Sequence, residues 1–184
     1  LGQLMFRRGS VFNPLVAASL MTMATQSCAQ DCKVPYPAAE TIAMTFDMAM
    51  EVERSLNAAS PKADVVLLAR GGQDLTRFGL TYSHVAFAVR EATGRWVVIH
   101  ELNRCKGDQS DLFREGLANF IGDSVLRADV LVAVPTDAIQ SRLKSWLTKP
   151  DSHARTLHEP RYSLVAYPFS TEYQNSNQWV LEVL

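Results

Sequence analysis

Two strand-like runs joined by a tight turn constrain this chain more than any other feature. Residues 83–90 alternate in part between apolar and polar side chains. Glu91-Ala92-Thr93-Gly94 then makes a turn, and residues 95–102 form a second run rich in aromatic and β-branched side chains. Two such runs around a short glycine-bearing turn read as an antiparallel hairpin. A hairpin alone is not stable, so further strands and a covering layer must come from elsewhere in the chain. Residues 64–69, closed by Arg70-Gly71-Gly72-Gln73, supply a short buried strand, residues 129–134 a fourth, and residues 162–167 a candidate fifth.

The remaining segments carry helical signals. Pro37 stands at the start of a helix over residues 38–59, where Ala38, Ile42, Phe46, Ala49 and Leu56 recur at near-helical spacing until Ser60-Pro61 stops it. Ser110-Asp111 is a capping pair for a short helix through Asn119. Thr136-Asp137 caps another that carries Ile139, Leu143, Trp146 and Leu147 on one side and ends at Lys149-Pro150. Residues 151–160 read as a polar loop, and residues 175–184 as a last helix. The expected class is α+β, an antiparallel sheet flanked by helices.

Composition narrows the function classes. The chain has 184 residues, 47% of them hydrophobic, with 18 basic against 19 acidic side chains and a formal charge of −1. So even a balance leaves no basic stripe for phosphate contacts, which argues against nucleic acid as a partner. Cys28, Cys32 and Cys105 are too few for a disulfide scaffold and lack the paired spacing of a zinc site. No cofactor or metal motif is present. Gly71-Gly72 lacks the strand–glycine–helix context of a nucleotide loop and reads as a turn.

The amino-terminal segment reads as a targeting signal. Met5-Phe6-Arg7-Arg8 is basic, residues 11–23 are mostly apolar, and Ser27-Cys28-Ala29 offers small residues for cleavage. The expected division is therefore a signal peptide with upstream residues over 1–29 and a single domain over 30–184. Asn13-Pro14 interrupts the apolar run, which falls short of the ~20 residues of a bilayer span. No membrane span is expected after cleavage, and the location is periplasmic or secreted. In such an oxidising compartment Cys32 and Cys105 are expected to pair. The start at Leu1 and the uncapped apolar end at Leu184 read as a fragment truncated at its C-terminus.

Two histidines are the first candidates for chemistry. His84 opens one arm of the hairpin and His100 lies on the other, close enough in sequence for an antiparallel return to set them side by side. An imidazole titrates near neutrality, so the pair can serve as base and orienter. The plain alternative is a histidine that ends a strand with a satisfied hydrogen bond. Glu101 or Asn103 can take the place of His100, because successive strand residues face opposite sides and sequence does not say which side faces a cleft. His153 and His158 fall in the polar loop without helical ligand spacing and read as solvated. Tyr162, Tyr167 and Tyr173 read as packing residues.

The succession Asp64-Val65-Val66-Leu67-Leu68, Ser83-His84-Val85-Ala86-Phe87-Ala88-Val89 and Val97-Val98-Ile99-His100 resembles the strands of NlpC-type papain-like peptidases. The resemblance implies His84 as base and His100 as orienter. Ala86 stands where that family usually has Gly, and Phe87-Ala88 where it has Ile-Tyr. In the ordinary order a cysteine at a helix N-terminus precedes these strands, and residues 38–59 contain none. Permuted relatives similar to lecithin:retinol acyltransferase instead carry an Asn-Cys pair on a later helix. Here Asn175-Ser176-Asn177-Gln178-Trp179 opens the last helix, with Ser176 at the cysteine position.

That resemblance implies a permuted papain-like fold in which Ser176, His84 and His100 act as nucleophile, base and orienter for amide or ester hydrolysis by acyl transfer. Cell-wall peptide or another envelope component is the implied partner. A serine hydroxyl is far less acidic than a thiol, so an inactive binding or scaffolding module on the same fold is an equal expectation, with Asn175 or Ser176 serving only as a cap. A third reading makes Cys32 the nucleophile in unpermuted order, although Val34-Pro35-Tyr36-Pro37 separates it from its helix. Over a longer stretch, Gly72-Gln73-Asp74-Leu75, Leu102-Asn103-Arg104-Cys105, Glu115-Gly116-Leu117, Asn119-Phe120, Tyr167-Pro168-Phe169-Ser170-Thr171 and Asn175-Ser176-Asn177-Gln178-Trp179 resemble a bacterial exported family known as domain of unknown function 2145. That likeness implies no activity.

Overall fold

The computed structural model describes residues 37–59, 63–105, 107–123, 126–168 and 170–184. The expected signal peptide, Cys28 and Cys32 lie outside these residues. In chain order the elements are α1 (Ala39–Ala59), β1 (Val65–Arg70), a 3₁₀ turn (Thr76–Phe78), β2 (His84–Arg90), β3 (Trp96–Asn103), β4 (Ser110–Gly116), α2 (Leu117–Gly122), β5 (Val130–Ala133), α3 (Asp137–Thr148), α4 (His153–Thr156) and α5 (Ser176–Val183). The class is α+β.

One antiparallel sheet runs through the molecule in the order β4-β3-β2-β1-β5. The expected hairpin is its centre, with Arg90 opposite Trp96. Gly94 closes the turn at φ 85°, a left-handed conformation that a side chain would strain, and its N–H donates to Glu91 O at 2.9 Å.

Because side chains alternate across a strand, the sheet has two buried faces. Val66, Leu68, Ala86, Ala88, Trp96 and Val98 face α1 and α2. Val65, Phe87, Val89 and Ile99 face α3, α4 and α5. On the second face Trp179 is fully buried, its ring 5.7 Å from that of Phe87 and its indole N–H donating to Ala154 O at 2.9 Å. Truncating a buried aromatic of this kind costs roughly 3–5 kcal/mol.

Three local expectations give way to tertiary contacts. Residues 110–116, expected as a capped helix, form β4, paired with β3 from Asn103↔Ser110 to Val97↔Gly116. The open edge of β3 offers a full ladder of backbone partners that outweighs a local cap, and Ser110 Oγ instead meets His158 Nε2 at 3.0 Å. Helix begins only at Leu117. Residues 162–167 make no strand: a turn in which Ala166 N–H donates to Ser163 O at 3.0 Å breaks the extended run, leaving a single bridge between Tyr162 and Gln174. The loop over 151–160 holds the short α4.

The rotation of α1 also differs. Ile42 and Phe46, expected in the core, are 44% and 57% exposed, whereas Thr45, Ala49 and Leu56 are buried. Gly122 packs against this buried face, since a β-carbon there would lie 2.9 Å from Thr45 Cγ2. Only a glycine lets the end of α2 approach α1 at that point. On α3, Ile139 is likewise exposed, and Gln140, Leu143 and Leu147 face inward.

Candidate functional site

The α2 face carries a line of polar side chains across four strands. Arg70 on β1 pairs in register with His84 on β2, His100 follows on β3, and Glu115 on β4. All of these strand positions share the face of Ala86 and Val98, so the sheet register itself aligns them. His84 Nε2 lies 2.8 Å from His100 Nδ1. His100 Nε2 lies 3.1 Å from Glu115 Oε1, close enough for an ion pair although neither atom has the alignment of a hydrogen bond. Phe120 of α2 seals the group, with ring centroids 5.8 Å from His84 and 5.4 Å from His100 and the Arg70 guanidinium carbon 5.2 Å above it. Arg70 is held in turn by Asp123 at 2.6 Å.

Electrostatics set the protonation of this relay. Burial pushes the His84 pKa well below its usual value, and the nearby Arg70 charge and His100 add to the shift. His84 is therefore neutral and has one ring nitrogen to accept a proton. Across the 2.8 Å contact one ring nitrogen donates and the other accepts, so the protonation of His84 and His100 is linked.

The opposite face carries a second polar cluster. Glu101 is fully buried on β3, and neither carboxylate oxygen has a hydrogen-bond partner. Burial raises its pKa to about 7, with the charge of Glu182 pushing the same way and the Ser110 hydroxyl opposing it. Ser110 Oγ also meets His158 Nε2 at 3.0 Å. Gln178 and Gln174 donate to Glu182 at 2.8 Å and 2.5 Å. His158 is thus half-buried within this cluster rather than solvated, its pKa lowered mainly by burial.

Ser176 belongs to this second face. Asn175 Oδ1 accepts from Gln178 N–H at 2.9 Å, so the cap read from sequence opens α5 directly before Ser176. Asn177 then pins the helix to the start of β2, accepting from Val85 N–H at 2.9 Å and donating to Ser83 O at 3.0 Å. Ser176 is buried, and its Oγ lies 3.4 Å from Tyr162 Oη. Tyr162 is itself shifted upward, first by burial.

His84 and His100 are therefore brought together as their spacing suggested, whereas Ser176 is not brought to them. The reason is strand parity: α5 packs on Phe87 and Ile99, one step out of phase with His84 and His100. Among the described residues His84 is hydrogen-bonded only to His100. Glu115 carries no local signal: residues 110–119 have a helical pattern, and it is the pairing of β4 with β3 that brings Glu115 to His100. Glu101, open as an alternative orienter, joins the Ser176 face instead.

His153 stacks edge-on against Trp146 at 4.7 Å, and Cys105 is exposed. Among the described residues no three His, Cys, Asp or Glu side chains group as a metal ion requires. No described helix is long and apolar enough to cross a membrane.

No curated protein and no solved structure matches the chain. The model of a family described as an uncharacterized protein conserved in bacteria, domain of unknown function 2145, matches residues 57–184, from the end of α1 through both polar clusters. The chain therefore belongs to that family.

Proposed function

We propose that this chain is an exported envelope module of papain-like architecture that binds its partner without cleaving it through Ser176. The observation that carries the reading is the separation of nucleophile position and base across the sheet, with Ser176 on the Phe87 face and His84 on the Phe120 face. Serine acylation needs a base within about 2.6–3.2 Å of the hydroxyl. Ser176 has Tyr162 as its neighbour instead, a phenol whose pKa is raised and which stays protonated at neutral pH. The papain-like element is supported by the antiparallel hairpin and by the small residues Ala86 and Ala88 beside His84, which allow a helix close to the histidine face.

Incubation of the full chain with a fluorophosphonate and with a panel of peptide and ester substrates tests this reading. No Ser176 adduct and no turnover is the expected result. An adduct on Ser176 that disappears in His84→Ala would overturn it.

A second reading keeps catalysis and rests on the direction of α1. Trp96 Nε1 donates to Asn57 Oδ1 at 3.1 Å, which places the C-terminal end of α1 at the far end of the hairpin from His84. Thr45 meets Gly122 beside Asp123, the partner of Arg70, so the N-terminal half of α1 lies at the His84 end and on the His84 face. Cys32 lies outside the described residues, a short distance before Ala39 in sequence. A His84-dependent reaction of Cys32 with iodoacetamide at pH 6 would favour a thiol hydrolase. Reaction at the rate of an ordinary thiol would remove that reading.

A further inference from the structure

A cavity of about 480 Å³ opens in the loop that precedes α5, beside the second polar cluster, where Ser163 N–H donates to Gln174 O at 3.0 Å. We propose that it is a binding site for a neutral saccharide, a proposal that rests on the binding-module reading and gives it a ligand class. Tyr167 and Tyr173 line it and remain 62% and 41% exposed. Ser163, Ser170 and Thr171 add hydroxyl-bearing side chains, and Glu172 a single carboxylate. Aromatic rings pack on the C–H faces of a sugar, and hydroxyls that both donate and accept match its alternating O–H groups.

The chemistry of the lining disfavours charged ligands. The cation nearest the cavity, Arg161, is already paired with Glu159 at 3.0 Å, so an anion finds no free counter-charge there. An organic cation would be drawn to tyrosine faces and a carboxylate. Arg161, however, already holds its guanidinium carbon 5.9 Å from the Tyr173 ring centroid, where it occupies that face. A neutral ligand remains, and hydroxyls set beside Tyr167, Tyr173, Val165 and Ala166 favour one that carries both O–H groups and C–H faces.

The walls are fastened before any ligand arrives. Asn175 Nδ2 donates to Ala166 O at 2.8 Å, which ties one wall to the cap of α5. Ser170 Oγ accepts from the N–H groups of Glu172 and Tyr173 at 3.3 Å and 3.4 Å, which holds the opposite turn. Pre-ordered walls reduce the entropy lost on binding.

The test is an amide-shift titration of the full chain with tri-N-acetylglucosamine, cellotriose and maltotriose, and separately with tetramethylammonium. Saturable binding of at least one trisaccharide is expected, with shifts centred on residues 163–173. Tyr167→Ala and Tyr173→Ala should each weaken it at least fivefold while Tyr167→Phe retains it, and unchanged circular dichroism would show that the exposed positions are not needed for folding. Absence of saccharide binding, binding indifferent to both alanine variants, or tighter binding of tetramethylammonium through these tyrosines would overturn the proposal. Those outcomes leave Ser176 labelling to decide the binding-module reading independently. A bound trisaccharide that is cleaved would sink that reading and leave the cavity assignment standing.

Discussion

Among the described residues, Glu101 is the one fully buried carboxylate whose two oxygens lack aligned hydrogen-bond partners, and Glu101→Gln removes its charge. Its pKa is about 7 in the folded protein against an ordinary 4.5, so the folded state binds this proton more tightly than the unfolded chain does. Between those two values the native state holds more protons, and stability falls as pH rises. The contribution is neutral below the unfolded pKa, and the full penalty is present above about pH 7. At ~1.4 kcal/mol per pH unit, the interval corresponds to a penalty of about 3 kcal/mol at pH 8. Glu101→Gln keeps the volume and cannot ionise. It should match the wild type near pH 4 and exceed it by about 3 kcal/mol at pH 8. Urea unfolding of both proteins from pH 4 to pH 8 measures the difference. His84, whose lowered pKa makes stability fall as pH drops below its ordinary range, is present in both and cancels. Parallel pH profiles for the two proteins would refute the reasoning, since they would mean that Glu101 titrates alike in the folded and unfolded chain.

Two further substitutions probe the two faces separately. His100→Ala removes a fully buried ring from Phe120 and Phe113 and takes the partner from His84 Nε2. It should cost about 2–4 kcal/mol in urea unfolding, and a loss below about 0.5 kcal/mol would show that the relay adds nothing to stability. Asn175→Ala deletes the cap on Gln178 N–H and the tie to Ala166 O. It should cost about 1 kcal/mol, seen as a fall of about 2–4 °C in Tm, and an unchanged Tm would mean that α5 is held by its packed face alone.

The sequence by itself determined the local features of this protein. β-branched runs around a glycine turn specify the β2–β3 hairpin, because strand preference and the left-handed Gly94 agree. Asn175 specifies the start of α5, because a cap is a contact between near neighbours. The α+β class follows from the succession of such segments, and the spacing of His84 and His100 is that of a short antiparallel return, which is why their meeting could be expected. What faces what was decided elsewhere. Residues 110–116 become a strand only because β3 presents an open edge, and with that strand comes Glu115, which no local signal marked. The β3–β4 ladder, which runs from Asn103↔Ser110 to Val97↔Gly116, outweighs a capping preference worth about 1 kcal/mol. The burial of Thr45 in place of Phe46 goes with the close packing of Gly122 against α1. Above all, the side of the sheet that α5 covers puts Ser176 with Tyr162 and leaves His84 with Phe120. A strand offers its two faces to any helix of suitable shape, and only the packing of the whole chain chooses between them.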